Sequence, residues 1–176
     1  LIHRDGCIQV KLDVKKDMEF PFLPRFGLRL FLDQSLDRVR YCGMGPDESY
    51  PDKHQASWHG IFEGDVRTMH RPYLKPQEYG SHWDCSWCEI SGEEMSFQAS
   101  SKEGFMFQAC EYTQEELSEK AHDFELKEAG CTVLCLDHNQ SGIGSGSCGP
   151  QLLEKYQFNE PEFSRTWVIT PGKRKE

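Results

Sequence analysis

Residues able to do chemistry concentrate where an apolar run, 132–136, opens into Asp137-His138-Asn139-Gln140-Ser141-Gly142-Ile143-Gly144-Ser145-Gly146-Ser147-Cys148-Gly149-Pro150. Four glycines fall within eight residues, Gly142 to Gly149. Glycine takes up φ > 0 without cost and lets backbone approach another surface closely. Loops carried on a rigid scaffold are where binding residues gather. His138 opens this loop, and among the seven scattered histidines it is the one expected to line a site.

Other chemistry-bearing groups carry plainer readings. Cys85-Ser86-Trp87-Cys88 invites a zinc or redox role, and Cys131 and Cys135 offer a second pair. On a strand, Cys85 and Cys88 point to opposite faces, and Cys131 and Cys135 lie ~13 Å apart at ~3.3 Å per residue. Zinc–sulfur bonds of ~2.3 Å need four converging ligands, so buried thiols are the expectation and no metal site is assigned. The 29 acidic residues isolate no carboxylate pair by local spacing, and no nucleophile elbow, P-loop or dinucleotide fingerprint occurs. No catalytic residue is therefore assigned within the chain. Trp87 and Trp167 lie within strand patterns and read as core, whereas Trp58 and Tyr73 lie in an irregular middle and read as contacts for a partner.

Strands must position these groups. Ile8, Val10, Leu12 and Val14 share one face while Gln9, Lys11 and Asp13 share the other, and Phe26, Leu28, Leu30 and Leu32 repeat the pattern. Further strands are expected at 39–42, 83–90, 95–99, 105–109, 124–127, 132–136 and 165–169. Short alternating runs punctuated by Gly, Pro and Asp indicate an all-β sandwich or barrel. Thr113-Gln114-Glu115-Glu116 reads as a capping box opening one helix of two turns at most. Residues 43–80 hold four prolines and few clean strands, as expected of a segment that is functional or packed on a neighbour.

Composition narrows the function classes. A net charge of −9 leaves no basic stripe for phosphates, and Lys173-Arg174-Lys175 reads as a solvated tail. No apolar run approaches the ~20 residues needed to cross a bilayer. No nucleic-acid or membrane partner is expected. The eight cysteines among 176 residues fall below disulfide-scaffold density and fit a reducing, cytoplasmic setting. The chain begins at Leu1 without methionine or signal peptide and reads as a segment of a longer protein.

Four segments, in order, carry a resemblance. They are Leu23-Pro24-Arg25-Phe26-Gly27-Leu28, then Tyr41-Cys42-Gly43-Met44-Gly45-Pro46-Asp47-Glu48-Ser49-Tyr50-Pro51-Asp52-Lys53, then Arg71-Pro72-Tyr73-Leu74-Lys75-Pro76-Gln77-Glu78-Tyr79-Gly80, and last the glycine loop. Together they resemble the C-terminal domain of the large bacterial beta-galactosidases of glycoside hydrolase family two. Ser49, Lys53 and Tyr79 depart from the family's Asn, Arg and Asn, and Cys148 stands where some members carry a pocket-lining tryptophan. The resemblance implies an all-β supersandwich like galactose mutarotase, with residues 1–176 forming the later part of that single domain. It implies hydrolysis of terminal, lactose-like beta-galactosides with retention, by two glutamates in a separate (β/α)₈ barrel. Magnesium and sodium belong to those other domains, so no cofactor is expected in this segment.

The role implied for this segment is to complete the sugar pocket. Gly142, Gly144 and Gly146 permit the close approach, while Ser145, Ser147 and His138 offer hydrogen bonds to hydroxyls beside Cys148. Trp58, Tyr73, Glu48 and Tyr50 would face the barrel or another subunit. The partners implied are the remaining domains, a galactoside and, through exposed sheet edges, further copies in a homo-oligomer. Two other readings stand beside this one: a small association subunit of a two-chain enzyme, inert alone, and a free-standing carbohydrate-binding or mutarotase-like module.

Overall fold

The computed structural model describes residues 1–144, 146 and 149–173. Eight antiparallel strands form one sheet: β1 (Ile8–Lys15), β2 (Arg25–Asp33), β3 (Arg38–Gly45), β4 (Trp58–Asp65), β5 (Ser81–Ser91), β6 (Met95–Cys110), β7 (Cys131–Gln140) and β8 (Glu162–Lys173). The main path runs β1-β8-β6-β5-β3-β4, and β7 joins β6 to β2 as a branch. The architecture is all-β and consistent with a sandwich, as the alternation predicts.

The branch has a local cause. The two expected strands 95–99 and 105–109 are one 16-residue strand, β6. Its first half pairs with β8, from Met95↔Lys173 to Ser100↔Val168, and its second half with β7, from Met106↔Asp137 to Cys110↔Val133. Opposite the changeover, β5 shifts register on both sides of Cys85, and Asp84 takes φ 53°. Such bulges bend a strand and increase its twist. The bulge also resets side-chain direction: Cys85 and Cys88, expected on opposite faces, both enter the same core.

That core lies on one face of the sheet. Cross-strand partners Val39↔Ile90, Tyr41↔Cys88, Cys88↔Ala99, His82↔Phe107, Phe107↔Leu136 and Ala109↔Leu134 carry it from β3 to β7. Trp167 extends it on β8, and Leu12, Leu28, Leu30 and Leu32 pack against it from the outer strands. Burying each large apolar side chain contributes ~1.5–3 kcal/mol. A smaller cluster of Tyr79, Cys110, Leu117 and Val133 lies on the other face, where helix α1 (Gln114–Glu119) seats Leu117. Thr113 caps α1 by accepting from Glu116 N at 3.1 Å, while the Glu116 carboxylate accepts from Lys127 N instead of closing the box.

Two elements differ from expectation. β4 arises inside the irregular middle. Its inward positions are Gly60, Phe62 and Gly64, so its period of two is invisible in apolar residues. Residues 124–127 are not a strand. They hold the 3₁₀ turn Asp123–Glu125, because the Glu125 carboxylate accepts from Ala121 N and His122 N and curls the backbone. Strands β1, β2 and β4 each pair with a single neighbour, and β4 exposes Trp58 and Ile61. Among the described residues, no helix is long and apolar enough to cross a membrane.

Candidate functional site

The glycine loop leaves β7 from a stem fixed on several sides. Ser141 N donates to Pro24 O at 2.9 Å and Ser141 Oγ to Leu23 O at 2.7 Å, while that hydroxyl accepts from Phe158 N at 2.9 Å. Gly142 N donates to Tyr156 O at 3.0 Å. Asp52 then takes two consecutive amides, Oδ1 from Ile143 N at 3.1 Å and Oδ2 from Gly144 N at 2.9 Å. The glycines serve different ends. A Cβ at Gly142 would stand 2.4 Å from Asp52 Cγ, so that position needs close approach, whereas Gly146 takes φ 71° with open space around it. Gly146 N donates to Pro150 O at 3.1 Å. Ser145, Ser147 and Cys148, expected to line the pocket, lie outside the described residues.

His138, expected at the mouth of this loop, is committed within the sheet. Its ring stacks on Phe163 at 4.3 Å with the planes 5° apart. Its Nδ1 accepts from Arg165 Nε at 2.8 Å, and Nε2 lies 3.4 Å from Glu160. Burial and then the Arg165 charge hold its pKa below the usual histidine value, so neutral imidazole is the favoured form. Both ring nitrogens therefore have partners in this chain.

The four residues expected to face a partner divide. Trp58 is 60% exposed at the start of edge strand β4. Tyr73 is half-buried, and its hydroxyl donates to Glu48. Glu48 and Tyr50 are buried. Glu48 also accepts from Lys53 Nζ at 2.5 Å and from Gly80 N at 2.7 Å. Burial works to raise its pKa, but these donors outweigh burial and hold the carboxyl below its ordinary value. Tyr50 Oη accepts from Ser81 N at 3.4 Å. Segment 46–54 thus ties the residues before β5 to the glycine loop from inside the domain.

A buried ionic cluster went unassigned in the sequence. Arg25 donates to Glu78 Oε2 at 2.9 Å, to Asp137 Oδ2 at 2.5 Å and to Asp137 Oδ1 at 3.3 Å. Gln108 Nε2 donates to Tyr79 O at 2.5 Å, and its Oε1 accepts from Gln114 at 3.1 Å. Burial opposes the Arg25 charge, yet Glu78 and Asp137 raise its pKa further. Burial pushes Glu78 up to about 7 against the pull of Arg25, with Asp137 adding to the rise. Asp137 is raised for the same first reason. Arg25 and Glu78 stand in two of the quoted segments and Asp137 beside the loop, but only folding brings the three together.

Burial governs the chemistry of four of the cysteines. Burial raises the thiol pKa values of Cys85 and Cys88 well above normal, and those of Cys110 and Cys135 to about 12. The thiolate is the reactive and metal-binding form, so these four are inert. Among the described residues, no group of three His, Cys, Asp or Glu converges on a metal position.

The beta-galactosidase small chain model matches residues 1–169, and the chain belongs to that family. It is 44% identical over 162 residues to the beta-galactosidase of Actinobacillus pleuropneumoniae, covering 92% of this chain and 16% of that protein. It is 39% identical over 165 residues to the beta-galactosidase of Staphylococcus xylosus, covering 93% and 17%. Against the beta-galactosidase of Lactococcus lactis subsp. lactis (strain IL1403) the identity is 33% over 163 residues, covering 92% and 16%. The chain thus spans about one sixth of the length of these curated relatives.

Proposed function

We propose that this chain completes the substrate pocket of a beta-galactosidase and carries none of its catalytic carboxylates. In this reading, residues 1–176 are the later part of a supersandwich domain. The remaining domains of the same enzyme bring the two glutamates of a retaining mechanism, one attacking the sugar and one serving as acid and then base, together with any magnesium or sodium. The glycine loop closes one side of the pocket, orients the galactoside and excludes water. The observation that supports this role is the stem: backbone and side-chain bonds from Leu23, Pro24, Tyr156 and Phe158 hold residues 141 and 142 in one place. A stem so anchored starts the loop from a fixed point, which lowers the ordering cost of meeting a ligand. The buried free thiols support a reducing cytoplasm, and the singly paired strands support assembly into a homo-oligomer.

A second reading is favoured by one observation. The matching family is described as a small chain, so the segment is also read as a separate subunit that associates with a catalytic one. One experiment tests both. The chain is co-expressed with the part of its protein that precedes it, and hydrolysis of a chromogenic beta-galactoside is followed, each half also alone. Activity restored by mixing separate polypeptides supports the pocket-completing role in either arrangement. Activity in this chain alone overturns both readings.

A further inference from the structure

The geometry points to Asp52 as the positioning residue that sets the path of the glycine loop over a bound galactoside; this rests on the reading of that loop as a pocket wall. Three observations carry it. First, each Asp52 carboxylate oxygen takes one of two consecutive amides, Ile143 N at 3.1 Å and Gly144 N at 2.9 Å. Two adjacent N–H groups on one carboxylate fix both the direction and the rotation of the backbone leaving the stem, and bonds to a charged acceptor are the stronger kind. Second, the glycines fit the carboxylate itself. A Cβ at Gly142 would meet Asp52 Cγ at 2.4 Å and Oδ2 at 2.5 Å, and one at Gly144 would meet Oδ2 at 3.0 Å.

Third, Asp52 is itself rigidly held. It lies with Pro51 in a turn closed by Tyr50 N to Lys53 O at 2.8 Å and Lys53 N to Tyr50 O at 3.0 Å. Tyr50 is buried on one side, and Lys53 is tied to Glu48 on the other. Asp52 therefore acts as a fixed peg. Both its carboxylate oxygens are taken up by backbone amides, so it influences the reaction through where the loop lies.

The test uses the whole enzyme, this chain joined to its preceding part, with a chromogenic beta-galactoside as the probe. Asp52→Ala is expected to raise KM about tenfold, from the loss of two charge-assisted bonds, with kcat changed less than threefold. Asp52→Asn keeps one acceptor oxygen and falls between. Gly142→Ala, whose Cβ displaces the carboxylate, is expected to raise KM likewise, but to add nothing once Asp52 is already Ala. Thermal unfolding of each variant is measured alongside. Independent, multiplying effects of Gly142→Ala and Asp52→Ala overturn the inference. So does an Asp52→Ala enzyme whose KM is unchanged, or whose loss tracks unfolded protein while Asp52→Asn is normal. Failure of the pocket reading shows separately: the preceding part alone would then hydrolyse the probe with the full enzyme's KM.

Discussion

Glu78→Gln is expected to stabilise the fold at alkaline pH and leave it unchanged in acid. One guanidinium, Arg25, faces two carboxyls, Glu78 at 2.9 Å and Asp137 at 2.5 Å. With both ionised, the cluster keeps a net negative charge where water is scarce, and a buried pair is weak evidence of stability. Glu78 relieves it: burial lifts its carboxyl from 4.5 to about 7. Its Oε1 is sealed from solvent, and the pull of Arg25 and a hydrogen bond with Gln140 do not offset the burial of the ionised form. Multiplying that rise by ~1.36 kcal/mol per unit gives about 3 kcal/mol, and the 23% of the side chain that meets solvent trims this to about 2 kcal/mol.

The sign follows from proton linkage. The folded state keeps the Glu78 proton up to about pH 7, whereas the unfolded chain releases it near 4.5. The stabilisation is whole below 4.5 and is lost as pH rises through 7. Glutamine mimics the protonated carboxyl at every pH. Urea unfolding, followed by the fluorescence of buried Trp167, should therefore show variant and wild type alike near pH 4, diverging to about 2 kcal/mol in favour of the variant at pH 8. A difference that is flat across this range, or a variant less stable at pH 8, would refute the argument and make Glu78–Arg25 a stabilising ion pair.

Other outcomes follow from single contacts. Thr113→Ala removes the acceptor for Glu116 N and should lower unfolding free energy by about 1 kcal/mol, read by the same urea titration; no change would mean that the Glu116 bond to Lys127 N suffices. Ile61→Lys places a charge on the singly paired strand β4, where Ile61 is 58% exposed. It should reduce self-association of the chain in sedimentation velocity, and an unchanged distribution would move the interface elsewhere. Cys85 and Cys88 should resist a thiol reagent in the native chain and react only after unfolding; fast labelling of either would contradict their burial.

Local patterns in the sequence located most of the sheet. Alternation marked β1 and β2, where Val10, Leu12 and Val14 and then Leu28, Leu30 and Leu32 take inward positions, and the apolar run 132–136 marked β7. It missed β4, where two of the inward positions are glycine, and it misread the faces of Cys85 and Cys88, since the register shift between Cys85 and Trp87 breaks the period of two. Residue 124 looked like strand because Phe is apolar, yet Phe124 stacks in the open on His122. These failures share a cause: period-two reasoning sees side chains, whereas bulges and glycines act through the backbone.

The site was legible in a different way. Its loop announced itself by glycine content, but the reason for those glycines did not. Glycine spacing alone is compatible with positive φ, with a ligand nearby or with a neighbour in the fold, and only Gly146 of the three inner glycines has the first cause. Gly142 and Gly144 are small because Asp52, 90 residues away from the first of them in sequence (142 − 52), occupies the space a side chain would need. Glu48 and Tyr50, expected at a partner surface, are turned inward by the same segment that carries Asp52. A motif of the form Glu48-Ser49-Tyr50-Pro51-Asp52-Lys53 therefore reads better as internal scaffolding than as contact surface. Glu48 fixes the approach to β5, Tyr50 and Lys53 fix the turn, and Asp52 passes that rigidity on to the loop.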